Sequence, residues 1–158
     1  DGDRLVQRII ESPHEVKIVL DKGKGKSALN AVGSFTDEKG VSTEGVGSGS
    51  TWSFAPNNPG KRPVLFDNKE GTSVMEKNSA EIDGAHELIH VDRAMRGQSI
   101  PKTPGNLVDQ TVTLPSGEKN SKVQKEELAT VGVEYNKKDD ITENMIRNEQ
   151  GKKPATGY

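Results

Sequence analysis

Apolar residues recur at helical spacing in four stretches of this chain and alternate with polar ones in several others. In "DRLVQRIIES" Leu5 pairs with Ile9 and Val6 with Ile10 behind an Asp3 cap, and Pro13 stops the helix. "EVKIVLD" follows as a strand. "SALNAVGSF" and "GSTWSFAP" read as strands of an antiparallel sheet, separated by the glycine-rich "EKGVSTEGVGSGS". In the second of these, Trp52 and Phe54 share one face, and Thr51 and Ser53 the other. "RPVLFD" is a further short strand.

The strongest helix pattern is "NSAEIDGAHELIHVDRAMRG". Asn78 and Glu81 suit a capping box, and Gly97 suits the stop. Residues 98–120 read mostly as loop, because Pro101, Pro104 and Pro115 interrupt any pattern, with "QTVTL" as a brief strand. "SKVQKEELATVGVEYN" reads as another helix. "DDITENMIRNEQG" reads as the last, with Asp140 and Glu143 as its capping box and Gly151 closing it. The order predicts an α+β fold, a small antiparallel sheet followed by a central helix and a second helix rich in glutamate. At 158 residues it predicts one domain, 1–158.

Composition tightens this picture. Leu, Ile, Val and Phe make up only about a fifth of the chain, so the core is small and its polar connections long, a fold that a bound ion would tighten. A net charge of −2, with both signs scattered, gives no reason to expect a nucleic-acid or membrane partner, and the reading is of a monomer. With no cysteine, disulfides and thiolate metal ligands are excluded; a chain that must unfold during export would suit that lack. Because residue 1 is Asp, the chain is expected to be a processed or cut-down piece. "KGKGKS" is a turn whose Lys/Gly alternation lacks the register of a phosphate loop.

The chemistry lies in "HELIH". His86 and His90 are four apart, so a helix stacks them on one face and aims both imidazoles at one point. That meets the need of a tetrahedral zinc ion, with Zn–N of roughly 2.0–2.1 Å. Glu87 falls about 100° round, beside the metal rather than on it, where it can take a proton from bound water whose pKa the ion lowers from about 15.7 to near 7. Projected at about 100° per residue, Ile82, Ala85, Leu88, Ile89 and Met95 cover the opposite side. Asp83, Arg93 and Gly97 fall on the histidine side, the glycine leaving room there. With three histidines and fourteen glutamates, a shuffled chain would show this motif with odds on the order of one in two hundred. The third histidine, His14, reads as a surface residue.

A catalytic zinc takes three protein ligands and keeps one position open. No histidine stands at position 96, so the third ligand is expected to be a carboxylate of the second helix, giving a His₂Glu site. Glu127 is preferred, with Thr130 one turn on to support the ligands, and Glu126 is the alternative. The developing oxyanion needs a donor or a positive group; Tyr135 is the candidate, with Tyr158 the other phenol. Arg93 would bind substrate carboxylate or support the helix end.

"HELIHVDRAMRG", "EELATVG" and "TENMIRNEQGKKPATGY" together resemble the NleD-like effector zinc metalloproteases. The likeness runs from about residue 80 onward, broken by the proline-rich loop. It implies a zincin-like fold and a zinc endopeptidase with a glutamate third ligand, carried here by His86, Glu87, His90 and Glu127. It further implies a virulence protein secreted by a bacterium, as by type III secretion, acting on a protein substrate in the host-cell cytoplasm. Stress-activated MAP kinases are the family's targets. Ala155 stands where many relatives have a more basic residue. Two other functions compete: an interbacterial toxin protease domain, and a non-catalytic zinc-binding interaction module. If "GSTWSFAP" is a sheet edge at the cleft, an extended substrate would add to it by main-chain hydrogen bonds.

Overall fold

A computed structural model describes residues 1–20, 28–31, 45–54, 63–67 and 72–158. The chain runs α1 (Gly2–Glu11), β1 (Val16–Leu20), β2 (Ala28–Ala31), β3 (Ser50–Phe54), β4 (Pro63–Asp67), β5 (Ser73–Lys77), α2 (Ala80–Met95), a 3₁₀ turn (Pro104–Asn106), β6 (Leu107–Leu114), β7 (Gly117–Gln124), α3 (Lys125–Val131) and α4 (Glu143–Glu149). "KGKGKS" and the end of "SALNAVGSF" lie outside the described residues. No helix among the described residues is long and apolar enough to cross a membrane.

The fold is α+β, but its strands form three small sheets rather than one antiparallel sheet. The first has the order β1-β3-β2, with β1 parallel and β2 antiparallel to β3. β3 is therefore the middle strand, hydrogen-bonded on both sides. Over Ser50–Phe54 the strand has no free edge to offer a substrate, contrary to the expectation for "GSTWSFAP". Trp52 is buried and its ring lies 4.9 Å from that of Phe54, as their shared face requires. β4 and β5 form a hairpin, whose other edge receives the end of the chain through a bridge between Leu65 and Gly157.

The third sheet is a β6–β7 hairpin of eight paired positions, where the sequence pattern indicates mostly loop. Pro115 does not break it, because it sits in the two-residue turn, where no ladder bond is lost. β6 alternates between half-buried and exposed positions, but Gln110 holds a half-buried place where a core strand would be apolar. β7 is exposed over its first four residues and carries no hydrophobic pattern; its pairing comes from β6. The strand takes residues 121–124 away from the expected helix. Gly132, at φ +88°, ends α3 after seven residues.

α2 is the centre of the molecule, packed by α1, α3, α4, β2 and β3. Leu5 of α1 joins Ile82, Ile89, Ile141 and Ile146 in the core, with Ile9, Ala85 and Leu88 against it, whereas Val6 and Ile10 stay exposed. The residue before α1 that caps it is Asp1, and Asp3 lies inside the helix. α2 begins after Ser79, one residue later than the capping-box pattern implies, and Asn78 is engaged elsewhere. The histidine side of α2 is as buried as the apolar side, since α3 and α4 cover it.

Gly97 does close α2, at φ +64°, but the space it leaves serves another purpose than the one expected. A Cβ there would lie 2.6–2.7 Å from the backbone of Gly45, whose N–H donates to the Gly97 carbonyl at 3.0 Å. Gly97→Ala is expected to lower the unfolding free energy by more than about 1 kcal/mol, because both the left-handed backbone and the close approach oppose it. Denaturant unfolding measures this; an unchanged midpoint would show that the loop yields freely.

Candidate metal centre

Three side chains from two helices meet in the interior. His86 and His90 project from one face of α2, and Glu127 comes from the first turn of α3. The two Nε2 atoms are 3.1 Å apart, and Glu127 Oε2 lies 3.2 Å from that of His86 and 3.1 Å from that of His90. Among the described residues these three form the one group able to share a metal ion. The imidazoles meet edge to face, with centroids 4.7 Å apart.

Each histidine is held from behind by a buried carboxylate. His86 Nδ1 donates to Glu143 Oε2 at 2.8 Å, and His90 Nδ1 faces Glu126 Oε1 and Thr130 Oγ1, both at 3.2 Å. These partners keep the protons on Nδ1, so both Nε2 lone pairs and the Glu127 oxygen point at one another. Three acceptors at such distances repel unless a cation lies between them. A four-coordinate ion with bonds of about 2.0–2.1 Å separates its ligand atoms by about 3.3–3.4 Å, so the observed triangle fits zinc within a few tenths of an ångström. Histidine backed by carboxylate is also the usual arrangement behind a bound metal.

The electrostatics agree. Burial opposes a charge on His90, yet its hydrogen bonds to Glu126 and Glu127 outweigh that and raise its pKa to about 9. Burial would raise Glu127 too, but its bonds to His86 and His90 hold it far below the usual carboxylate range.

Glu126 and Glu127 are thus sorted by geometry. Glu127 faces both Nε2 atoms, whereas Glu126 turns to the other side of His90 and into a buried network. Its two oxygens accept Arg93 Nε at 3.0 Å, Arg93 Nη2 at 3.1 Å and the Ile100 amide at 2.7 Å. Arg93 is fully buried, pairs with Asp140 as well, and donates to the Gln98 carbonyl. It is tied to the helix end and to Glu126 and lies inside the protein. Asp140, expected to cap α4, is taken up by Arg93 and Arg96, and Thr142 caps the helix instead. Thr130 does meet His90, while its hydroxyl also donates to the Glu126 carbonyl at 2.9 Å.

Glu143, not Asp83 on the histidine side of α2, is the carboxylate that meets His86 Nδ1. It is buried completely, and besides His86 it accepts Arg147 Nε at 2.8 Å and the Asn78 amide at 3.4 Å. Sequence reasoning takes it for a cap; its i,i+4 partner Arg147 on the same short helix is the signal that points inward. Glu143→Ala is expected to weaken zinc binding about 10–100-fold, measured by chelator competition, because His86 loses its orienting acceptor. Affinity within a factor of two of wild type would rule that role out.

Glu87 follows His86 on α2, half-buried. Tyr135 lies on the exposed turn after α3 with its ring 5.5 Å from Lys125 Nζ. The phenol beside the cluster is Tyr158, whose ring stacks on His86 with centroids 5.8 Å apart. Asn144 holds it there by clasping both the carbonyl and the amide of Ala155, and the Thr156 amide bonds Leu65. His14 is half-buried beside Gly47 and takes no part in the cluster.

A family model described as an effector protein, peptidase M91, matches residues 2–158. The chain belongs to this family of NleD-like effectors. No curated protein and no solved structure matches the chain. Membership in the M91 effectors implies a peptidase, secreted by a bacterium and directed at a protein substrate in a host cell. The match spans the first eighty residues as well, where the sequence motifs alone are silent.

Proposed function

We propose that this M91 effector is a zinc-dependent endopeptidase of zincin-like architecture, with His86, His90 and Glu127 as metal ligands and Glu87 as general base. The convergence of three unshared acceptor atoms in a buried site, each histidine backed by a carboxylate, carries the reading. A zinc ion bound there would supply Lewis acidity and bring a bound water's pKa to near 7.

The chain's own residues do the rest. Glu143 and Glu126 keep both imidazoles in the tautomer that presents Nε2. Glu87, one residue from a ligand and about 100° round the helix, receives the proton of the attacking water and passes it to the leaving amine. Tyr158, rather than Tyr135, is the phenol suited to stabilise the oxyanion, since its ring lies on His86. A half-buried carboxylate directly after the ligand His86 favours catalysis over a purely binding role.

The chain is dialysed to remove metal, then titrated with zinc and offered host-cell lysate, in which new protein N-termini are sought. Stress-activated MAP kinases are the first substrates to examine. One zinc per chain is expected, with cleavage abolished by chelator and restored by zinc. Cleavage that persists in the stripped protein would refute the metal mechanism.

A further inference from the structure

Glu127 has two oxygens, and only Oε2 points at the histidines. Oε1 accepts a hydrogen bond from Lys102 Nζ at 2.9 Å. A free carboxylate can grip a zinc ion through both oxygens, filling the position that a catalytic ion must keep open.

We propose that Lys102 restrains Glu127 to a one-oxygen grip on the ion, so that one coordination position stays available to the substrate. The inference rests on the zinc reading given above. Ordinary surface ion pairs hold geometry poorly, because both side chains move in water. Here Glu127 is buried and the lysine's own loop is tied to the site. Gln98 N–H donates to the Arg93 carbonyl at 2.8 Å, and the Ile100 amide donates to Glu126 Oε2 at 2.7 Å. Just past Lys102, the Thr103 amide and the Asn106 side chain both bond the Pro101 carbonyl at 2.9 Å. The same buried network that orients His90 thus delivers Lys102 to the free oxygen of Glu127. Lys102 is therefore a positioning residue acting through Glu127.

The test replaces Lys102 by methionine, which keeps the length and removes the donor. Its side chain is 61% exposed, so the fold does not depend on it, and an unchanged melting temperature checks this. Wild type and Lys102→Met are stripped of metal and refilled with Co²⁺. Wild type is expected to show the intense visible absorption of a four-coordinate ion. Lys102→Met is expected to bind one cobalt per chain and lose most of that intensity, as the second oxygen of Glu127 enters the coordination sphere. An undiminished spectrum in the fully loaded variant overturns the proposal while leaving the metal centre standing. A wild-type chain that takes up no cobalt overturns the zinc reading itself, and this inference with it.

Discussion

Glu127→Ala is expected to abolish stoichiometric zinc binding while leaving the fold intact, and Glu126→Ala to do the reverse. Structural zinc sites bind with about 10–16 kcal/mol shared among their ligands, so removing one of three or four costs on the order of a hundredfold to several thousandfold in affinity. Glu127 has no buried arginine to abandon; its other partner is the solvent-facing Lys102. Glu126, by contrast, neutralises Arg93 in the interior. Its loss leaves a buried guanidinium short of one carboxylate, which typically costs about 3–5 kcal/mol. His90 keeps Thr130 on its Nδ1 side, so zinc still binds at saturating concentration. Metal content after gel filtration, together with thermal unfolding of the metal-free proteins, reads both effects. Should Glu126→Ala lose zinc and Glu127→Ala retain it, the two assignments must be exchanged.

Glu87→Gln is expected to keep one zinc per chain and to lose about 10²–10⁴ in kcat/KM. The amide matches the carboxylate in size, so the half-buried pocket beside His86 is undisturbed, but it cannot accept a proton. The metal-holding triangle lacks Glu87, so zinc affinity stays within a few-fold of wild type. Cleavage of any substrate found in lysate, compared at equal zinc loading, decides the matter. Equal rates for the two proteins would remove Glu87 from the chemistry.

The two helices that carry the proposed ligands are legible in the sequence to different degrees. α2 is long and strongly patterned, and the His86–His90 pairing follows from helical geometry alone, because residues four apart must share a face. α3 is short, and its neighbour misleads: the first half of β7 reads as loop because it meets only water and its partner β6, and residues 121–124 read as the start of the helix because they carry no alternating pattern of their own. Which of two adjacent glutamates faces the histidines is not a local property. The apolar residues of so short a helix leave its rotation open, and Arg93, thirty-three positions away, decides it by claiming Glu126.

The tyrosines and the capping patterns make the same point. Asp140 and Glu143 have the spacing of a capping box, but burial beside arginines outweighs the modest gain of a cap. Tyr158 reaches His86 only because Asn144 and Leu65 fold the last residues back across the molecule.

The amino-acid sequence by itself determined the imidazole pair, the adjacent carboxylate and the helix that displays them, since these follow from spacing along one segment. Tertiary structure alone turned Glu127 rather than Glu126 toward both histidines, brought Glu143 and Lys102 to the cluster, and set Tyr158 rather than Tyr135 beside it. Those choices depend on which charges are paired and where the backbone is tied once distant segments meet, and spacing along the chain carries no record of that.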